Sequence, residues 1–258
     1  MNTRMTLRWA ISGAALIIVA ASSTALAGRG GARDDRDQRR QPEVIEMGDS
    51  RLKFEINATD GDGGVQAFID ADQWTTMSIS DPRGRRIFTA TATGRMAEQG
   101  GTELFLESAE PPFTELTLAQ LLQRWPEGEY RFRGRSLEGD IYVGSWDLTH
   151  DIPDGPALVA PIEGDPPQDP DATVVEWQPV DPPNGSPIIG YQVLVVRPET
   201  DIDALPKVIL DVMMPPDATS LAVPPGFLEP DSDYEWEVLA IESSGNQTLS
   251  SSTFTTGD

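Results

Sequence analysis

Few residues in this chain could carry catalytic chemistry, because it has one histidine, no cysteine and a formal net charge of −23. A nucleophilic serine or threonine most often needs a positioned histidine as its base. The single histidine, His150, follows a predicted strand, and no His-rich metal motif surrounds it. We therefore interpret His150 as a polar loop residue, assign no catalytic residue and expect the protein not to be an enzyme.

Paired acids are the second candidate chemistry, because carboxylates two residues apart are common in calcium-binding loops. An EF-hand loop beginning at Asp60 would need an oxygen ligand at 64, a glycine at 65 and an acid at 71, but the sequence has Gly64, Val65 and Ala71. A calcium site built by acids from separate loops remains an open interpretation. The favoured interpretation is that these acids lie in turns and are solvated. We predict no metal site and no cofactor. The pairs are Asp60/Asp62, Asp70/Asp72, Asp201/Asp203 and Asp231/Asp233.

The most distinctive charged feature is an arginine row, Arg131, Arg133 and Arg135, in the segment YRFRGR. Alternate residues of a strand face the same side, so the row should lie opposite Tyr130 and Phe132. The chain is much more acidic towards its C-terminus, with 10 basic and 21 acidic residues in 43–158 but 2 and 18 in 159–258. Two interpretations are open: a dock for the acidic C-terminal part, which is favoured, or a binding site for an acidic protein or an anionic glycan.

The N-terminus predicts the compartment. Arg4 and Arg8 precede an apolar run over residues 9–21, and Ala25-Leu26-Ala27 follows, which is typical of a signal peptide over residues 1–27. The apolar run is shorter than the roughly 20 residues that span a bilayer. We expect a periplasmic or secreted protein without stable membrane insertion after cleavage.

Charge and cysteine content exclude further classes. A strongly acidic surface repels nucleic acid, so we expect no nucleic-acid partner. Without cysteine, an exported fold has no disulfides, and each domain must bury its own hydrophobic core. Residues 28–42 are rich in glycine and charge and predict a disordered tail.

Residues 43–152 predict a β-rich domain of unrecognised family with one short helix. Thr117 and Gln120 have the spacing of a capping box, and Pro126 should end that helix. The turn residues from Asp81 to Gly84 predict a hairpin. Lys53 and Glu55 should share the face of the first strand opposite Leu52, Phe54 and Ile56. The predicted strands are LKFEIN (52–57), VQAFID (65–70), TMSIS (76–80), RRIFTA (85–90), ELFLES (103–108), EYRFRGR (129–135) and IYVGSWDL (141–148).

Residues 153–258 begin with a proline-rich connector, since ten of the 22 prolines lie in 153–187. Such connectors are extended and semi-rigid. The strands that follow alternate apolar and polar residues, which predicts a sandwich of two sheets. In YEWEVLA (234–240) the alternation places Tyr234 and Trp236 inward and both glutamates, Glu235 and Glu237, outward.

From about residue 157 onwards the sequence resembles a fibronectin type III domain. Trp177 matches the core tryptophan of the second strand and Tyr191 the aromatic residue of the third. The run Leu228-x-Pro230-x-x-x-Tyr234 resembles the entry to the sixth strand with its tyrosine corner. The resemblance also includes Val238 and Ala240 of that strand and SSSTFTT (250–256) as the last strand.

The resemblance implies an immunoglobulin-like β-sandwich that acts as a spacer or binding module. We therefore expect an exported, non-enzymatic binding or structural protein that mediates protein or cell-envelope interactions. The partner is a protein or a glycan, and the sequence does not identify which one. The alternative is a carbohydrate-binding accessory protein or a small secreted hydrolase, which an exposed row of Tyr142 and Trp146 would favour.

Overall fold

Strands dominate the structure, a computed structural model that describes residues 40–197 and 204–258. The predicted signal peptide, nearly all of the predicted tail, and Asp201 and Asp203 lie outside these ranges. Among the described residues, no helix combines the length and the apolar character that crossing a membrane requires.

The first half of the described chain forms seven strands and two short helices. Its buried residues include Phe54, Ile69, Met77 and Phe132, which build one hydrophobic core. The elements are β1 (Val44–Glu46), β2 (Asp49–Asn57), β3 (Asp62–Ser80), β4 (Arg86–Thr91), α1 (Arg95–Gln99), β5 (Gly101–Glu107), α2 (Leu118–Arg124), β6 (Gly128–Ser136) and β7 (Ile141–Leu148).

Strand β3 joins two segments that the sequence predicted as separate strands. It runs for 19 residues, and its register with both neighbouring strands is irregular around Gln73, whose φ is 51°. The part before this irregularity pairs with β2 and β5, and the part after it pairs with β4 and β6. An inserted irregularity of this kind bends and twists a strand without ending it. One long strand therefore serves two sets of partners.

The local turn and cap predictions are confirmed. Gly84 N–H donates to the carbonyl of Asp81 at 2.8 Å and closes the β3–β4 turn. At the start of α2, Thr117 Oγ1 accepts from the backbone of Gln120 at 3.3 Å, and the Gln120 side chain accepts from the backbone of Thr117 at 3.0 Å. Leu121 then points into the core.

The second half is a seven-stranded β-sandwich with a fibronectin type III-like fold. One sheet has the order β12-β9-β8, and the other half of the sandwich is the run β14-β13-β10-β11. This confirms the predicted fold class. The strands are β8 (Leu158–Ala160), β9 (Val174–Trp177), β10 (Ile188–Val196), β11 (Val208–Met214), β12 (Ser220–Ala222), β13 (Asp233–Glu242) and β14 (Gln247–Thr255).

Alternate side chains fill the space between the two sheets of the sandwich, as the sequence predicted. Trp177, Tyr191, Tyr234 and Trp236 are at most 1% exposed. The Tyr234 hydroxyl accepts from the backbone N–H of Glu229 at 2.8 Å, so the tyrosine corner is present. Burying these rings supplies much of the hydrophobic stabilisation of this half.

The two halves share one sheet, because β2 and β14 pair in parallel. Asn246, which is fully buried, accepts from the backbone of Phe54 at 2.9 Å and donates to the carbonyl of Thr149 at 3.1 Å. Parallel pairing between segments this far apart in sequence has no local signature. The predicted domain boundary between residues 152 and 153 stays a prediction.

The expected outward position of Glu235 and Glu237 needs correction, and the polar face of β2 is covered as well. Glu55 is 7% exposed, and Lys53, Glu235 and Glu237 are half-buried. Their strands do alternate, but the polar face is covered as well as the apolar one. Burial, reinforced by the charges of Glu235 and Glu55, raises the pKa of Glu237 to about 8.

Candidate functional site

The arginine row lies on an exposed face built by neighbouring strands. Arg131, Arg133 and Arg135 are all exposed, whereas Tyr130 and Phe132, on the opposite face of the strand, are at most 1% exposed. The arginines and the aromatic residues therefore lie on opposite faces of the strand, as the sequence predicted. Adjacent members of the row are about 7 Å apart along the strand.

Pairing across the sheet surrounds the row with hydroxyl groups. Ser80 of β3 lies opposite Arg131, which in turn lies opposite Ser145 of β7. One step further along, Ser78 lies opposite Arg133 and its hydroxyl donates to the carbonyl of that residue at 3.1 Å. Small hydroxylated neighbours leave the guanidinium groups uncovered.

These residues line an open groove of about 420 Å³, which we call the arginine groove. Its walls contain Arg131 and Arg133 of the row, but not Arg135. The Arg135 Nη1 instead approaches the carbonyl of Gly139 at 3.5 Å. The other residues that line the arginine groove are Glu46, Ser78, Ser80, Gly84, Arg86, Glu129, Phe132, Val143, Gly144 and Ser145.

Sequence reasoning missed Arg86, which belongs to the same groove. Ser80 of β3 pairs with Arg86 of β4 on one side and with Arg131 of β6 on the other. Two strand spacings separate the two arginines, or about 10 Å. The available signal was the predicted hairpin at residues 81–84, which brings β4 beside β3. The position of β6 on the other side of β3 could not be read locally.

The turn beside the groove is held by Asp81, which is 3% exposed. Its carboxylate accepts from the backbone N–H groups of Arg83 at 3.0 Å and Arg85 at 2.8 Å, and from the Arg85 Nε at 2.8 Å. Burial opposes the charged form, but the hydrogen bonds from Arg85 hold the pKa of Asp81 below its ordinary value. This ionised carboxylate fixes the turn from which Arg86 projects.

Positive charge is concentrated here in a chain that is otherwise acidic. Six of the ten basic residues in 43–158 lie on the β3–β4 turn, on β4 or on β6. Glu129 pairs with Arg131 at 2.7 Å, but the Arg131 side chain stays 70% exposed. An exposed ion pair of this kind contributes little stability, so a competing carboxylate can replace it. Planar guanidinium groups favour bidentate contacts with carboxylates.

The favoured interpretation of the row as an intramolecular dock has no contact to support it in residues 40–197 and 204–258. All residues that line the arginine groove lie between Glu46 and Ser145. The side-chain partners of Arg131 and Arg135 are Glu129 and Gly139. The described residues of the acidic C-terminal half line no part of the groove.

The other sequence candidates have structural roles. The His150 Nε2 is 2.9 Å from the carbonyl of Trp125, and its ring packs edge-on against Phe54. Tyr142 is 6% exposed and donates to the carbonyl of Asp72, while Trp146 packs against the core. Tyr142 and Trp146 therefore do not form an exposed stacking row.

The acid pairs that lie within the described residues do not converge on one place. Among these residues, the acids close enough to share a cation are Glu55, Glu107 and Glu110, which we call the carboxylate cluster, and none belongs to those pairs. The sequence did not indicate that these three acids meet, because they come from β2, from β5 and from the loop after β5.

Comparison with known proteins assigns no family to the chain. No family model and no curated protein matches the chain. A structure of the Clostridium thermocellum CbhA fibronectin(III)-like modules is 11% identical over 86% of this chain and 92% of that one, with a TM-score of 0.33. The FN1–FN3 domains of chicken CNTN1 are 12% identical over 84% of this chain and 66% of that one, also with a TM-score of 0.33. A redesigned β-sandwich protein is 26% identical over 43% of this chain and 98% of its own, with a TM-score of 0.29.

Because these scores are low, the class assignment depends on the strand order of the chain itself. Three strands face four, and a tyrosine corner lies at the entry to the sixth strand of the sandwich. The protein is mostly β and carries a fibronectin type III-like sandwich in its second half. The arginine groove lies in the first half, on the same continuous sheet.

Proposed function

We propose that the protein is an exported, non-enzymatic binding protein whose arginine groove holds an extended acidic segment of a protein partner. The observation that carries the proposal is the exposed, strand-spaced row of guanidinium groups on a chain with a formal net charge of −23. Fold analogy contributes only the general class of role, a binding or spacer module.

The spacing of the row favours an extended peptide. Alternate side chains of an extended chain are about 7 Å apart, which is also the spacing of Arg131, Arg133 and Arg135. An acid at every second position could therefore face one guanidinium group each. The hydroxyl groups of Ser80 and Ser145 add donors beside the row.

Charge distribution adds selectivity. The acidic remainder of the surface repels polyanions in general, so that productive contacts are confined to the groove. Binding through exposed charges of this kind weakens as salt rises, because the Debye length is about 10 Å at 0.1 M and about 3 Å at 1 M.

The test uses a synthetic peptide with aspartate at alternate positions. Its binding to the full chain at low salt is measured by fluorescence polarisation. The triple variant Arg131→Ser/Arg133→Ser/Arg135→Ser should lose about tenfold or more in affinity, since three exposed ion pairs of about 0.5–1 kcal/mol each are removed. The matched control is Arg124→Ser, an exposed arginine on α2.

Equal binding by the triple variant and by the control variant would contradict the groove as the site. An anionic oligosaccharide of similar charge serves as the competing ligand. If the oligosaccharide binds and the peptide does not, the partner is a glycan and the peptide proposal is wrong.

A further inference from the structure

The turn that precedes β10 contains an asparagine followed by a glycine, Asn184-Gly185. In such a pair the nitrogen of the next peptide bond can attack the amide carbon of the asparagine, because glycine has no side chain to obstruct it. The chain has four asparagines, and the other three, Asn2, Asn57 and Asn246, precede threonine, alanine and glutamine. Asn184 is therefore the asparagine to which this chemistry applies most directly.

The turn leaves both reacting groups accessible. Asn184 and Gly185 are exposed, and a Cβ at residue 185 would meet nothing within 4 Å. By contrast, Asn246 is fully buried, and its Nδ2 donates to the carbonyl of Thr149 at 3.1 Å. Asn57 is half-buried, and its Oδ1 accepts from two backbone N–H groups of the turn that follows it. Exposure therefore distinguishes Asn184 from the other two described asparagines.

The backbone of the turn opposes the reaction. Asn184 has φ 48° and ψ 20°, and Gly185 has φ 88°. The Ser186 N–H donates to the carbonyl of Pro183 at 2.7 Å, so the four residues form a turn of the I′ type. With ψ at this value, the Gly185 nitrogen lies on the side of the Cα–C bond away from the Asn184 Cβ. The turn must therefore open before the nitrogen can reach the side chain.

The carboxylate of Asp151 holds the turn in this closed form. Its Oδ1 accepts from the Asn184 Nδ2 at 2.9 Å, and its Oδ2 accepts from the Ser186 Oγ at 2.6 Å. The hydrogen bonds from Ser186 and Asn184 keep the pKa of Asp151 below its ordinary value, so the carboxylate is ionised at neutral pH. Hydrogen bonds to a charged group are stronger than neutral ones. One carboxylate therefore restrains both the amide and the end of the turn.

We propose that Asn184 is a site of spontaneous deamidation, and that Asp151 limits its rate by holding the turn closed. When the turn opens, the Gly185 nitrogen attacks the Cγ of Asn184. A C–N bond forms, the peptide nitrogen loses its proton to water, and the side-chain nitrogen leaves as ammonia. Water then opens the cyclic imide at either carbonyl and gives aspartate or isoaspartate. Water is the only other reactant consumed.

The product cannot make the contact that the asparagine made. A carboxylate at residue 184 has no N–H to donate, and it places a second negative charge beside Asp151. The lost contact joins the loop after β7 to the turn before β10, two segments whose contacting residues are 33 positions apart. The carbonyl of Asp151 still accepts from the Asn246 Nδ2 at 3.3 Å. Deamidation therefore removes one attachment of this loop to the sandwich and leaves another in place.

The first test is peptide mapping by mass spectrometry of the full chain, incubated folded and in urea at mildly alkaline pH. The peptide that contains Asn184 should gain the mass difference between an amide and an acid and should separate into aspartate and isoaspartate forms. Peptides that contain Asn57 and Asn246 are internal controls and should stay unchanged in the folded protein. Asn184 should react more slowly in the folded protein than in urea, because the turn has to open.

Asp151→Ala should raise the rate in the folded protein about tenfold, which corresponds to about 1.4 kcal/mol in the opening of the turn. Ser186→Ala removes one of the two hydrogen bonds and should give a smaller increase. Asp147→Ala is the matched control, since Asp147 is an exposed aspartate of β7. In urea all these proteins should react at the same rate, so a difference in the folded state reports the turn.

Asn184→Asp reproduces one product and tests the consequence for the fold. It should lower the Tm by about 2–4 °C, because the new carboxylate faces Asp151. In the Asp151→Ala background the same substitution should leave the Tm unchanged, since the opposing charge is gone. An equal loss of Tm in both backgrounds would contradict the repulsion between the two carboxylates.

The proposal is overturned if Asn184 stays as intact as Asn57 and Asn246 in both the folded wild type and folded Asp151→Ala. It is also overturned if Asp151→Ala and Asp147→Ala change the rate equally, because the carboxylate then does not restrain the turn. Neither result bears on the arginine groove, which has its own variants.

Discussion

The arginine row and the carboxylate cluster are two polar features of the same long sheet with opposite charge and opposite exposure. The row remains in solvent, where hydroxyl groups flank it. The cluster is covered, and its central member, Glu55, is 7% exposed. The arginine row, like Glu55 of the cluster, lies on a strand in which charged and apolar residues alternate.

The comparison shows what alternation encodes. Period-two patterning decides which residues share a face of a strand, but it does not decide what covers that face. At β6 the charged face meets solvent and is available to a partner. At β2 the charged face meets Gln66, Gln247 and the loop that carries Glu110, so its charges must be compensated inside the protein.

The largest expected difference between the two features is in stability. Glu55→Ala should destabilise the protein by on the order of 2–4 kcal/mol, because the buried Gln247 amide loses its carboxylate acceptor and Lys53 loses the nearby negative charge. Arg133→Ala should change stability by no more than about 0.5 kcal/mol, as for other exposed residues. Chemical denaturation of both variants measures the contrast, and similar losses in the two would refute it.

Covered acids should also make stability depend on pH. The pKa of Glu237 is about 8 in the folded protein, above its ordinary value of 4.5, so the neutral form is favoured by folding. Its contribution is fully present below pH 4.5 and is lost as pH rises through 8. Between pH 5 and pH 9 the wild type should lose on the order of 1–4 kcal/mol more than Glu237→Gln.

Urea denaturation of both proteins across this pH range gives the difference directly. Parallel stability profiles for the wild type and Glu237→Gln would show that Glu237 titrates normally. Glu235→Gln is no substitute as a control, because Glu235 is itself half-buried and burial raises its pKa. Glu103→Gln serves instead, since Glu103 is exposed.

A smaller loss of stability is expected at the tyrosine corner, a buried polar contact that the sequence predicted. Tyr234→Phe removes the hydroxyl that accepts from the backbone of Glu229 at 2.8 Å. The loss should be on the order of 1–2 kcal/mol, with the ring packing retained. Denaturation midpoints of the wild type and this variant test it, and an unchanged midpoint would mean that the tyrosine corner contributes nothing to stability.

The features that the sequence predicted correctly all depend on nearby residues. The capping box of Thr117 and Gln120, the turn at Asp81 and the inward Trp236 each follow from spacings of a few positions. The arginine row belongs to the same class, since one strand defines it. The resemblance to fibronectin type III likewise came from short motifs in order.

What could not be predicted depends on contacts between distant segments. Glu55 and Gln247 meet across 192 positions, and nothing near either residue indicates a parallel β2–β14 pair. Arg86 joins the arginine groove only because β4 and β6 flank the same stretch of β3. The carboxylate cluster needs the open space over Gly64, which is visible only once the strands are placed.

Covalent footprinting of the native protein tests the contrast between the two features in one experiment. An arginine-specific dicarbonyl and a carbodiimide with an amine nucleophile are applied together, and labelled residues are read by mass spectrometry. We predict rapid labelling of Arg131, Arg133 and Arg135 and labelling of Glu55 only after unfolding. Protection of the arginine row, or labelling of Glu55 in the native protein as fast as the exposed Glu103, would contradict the account.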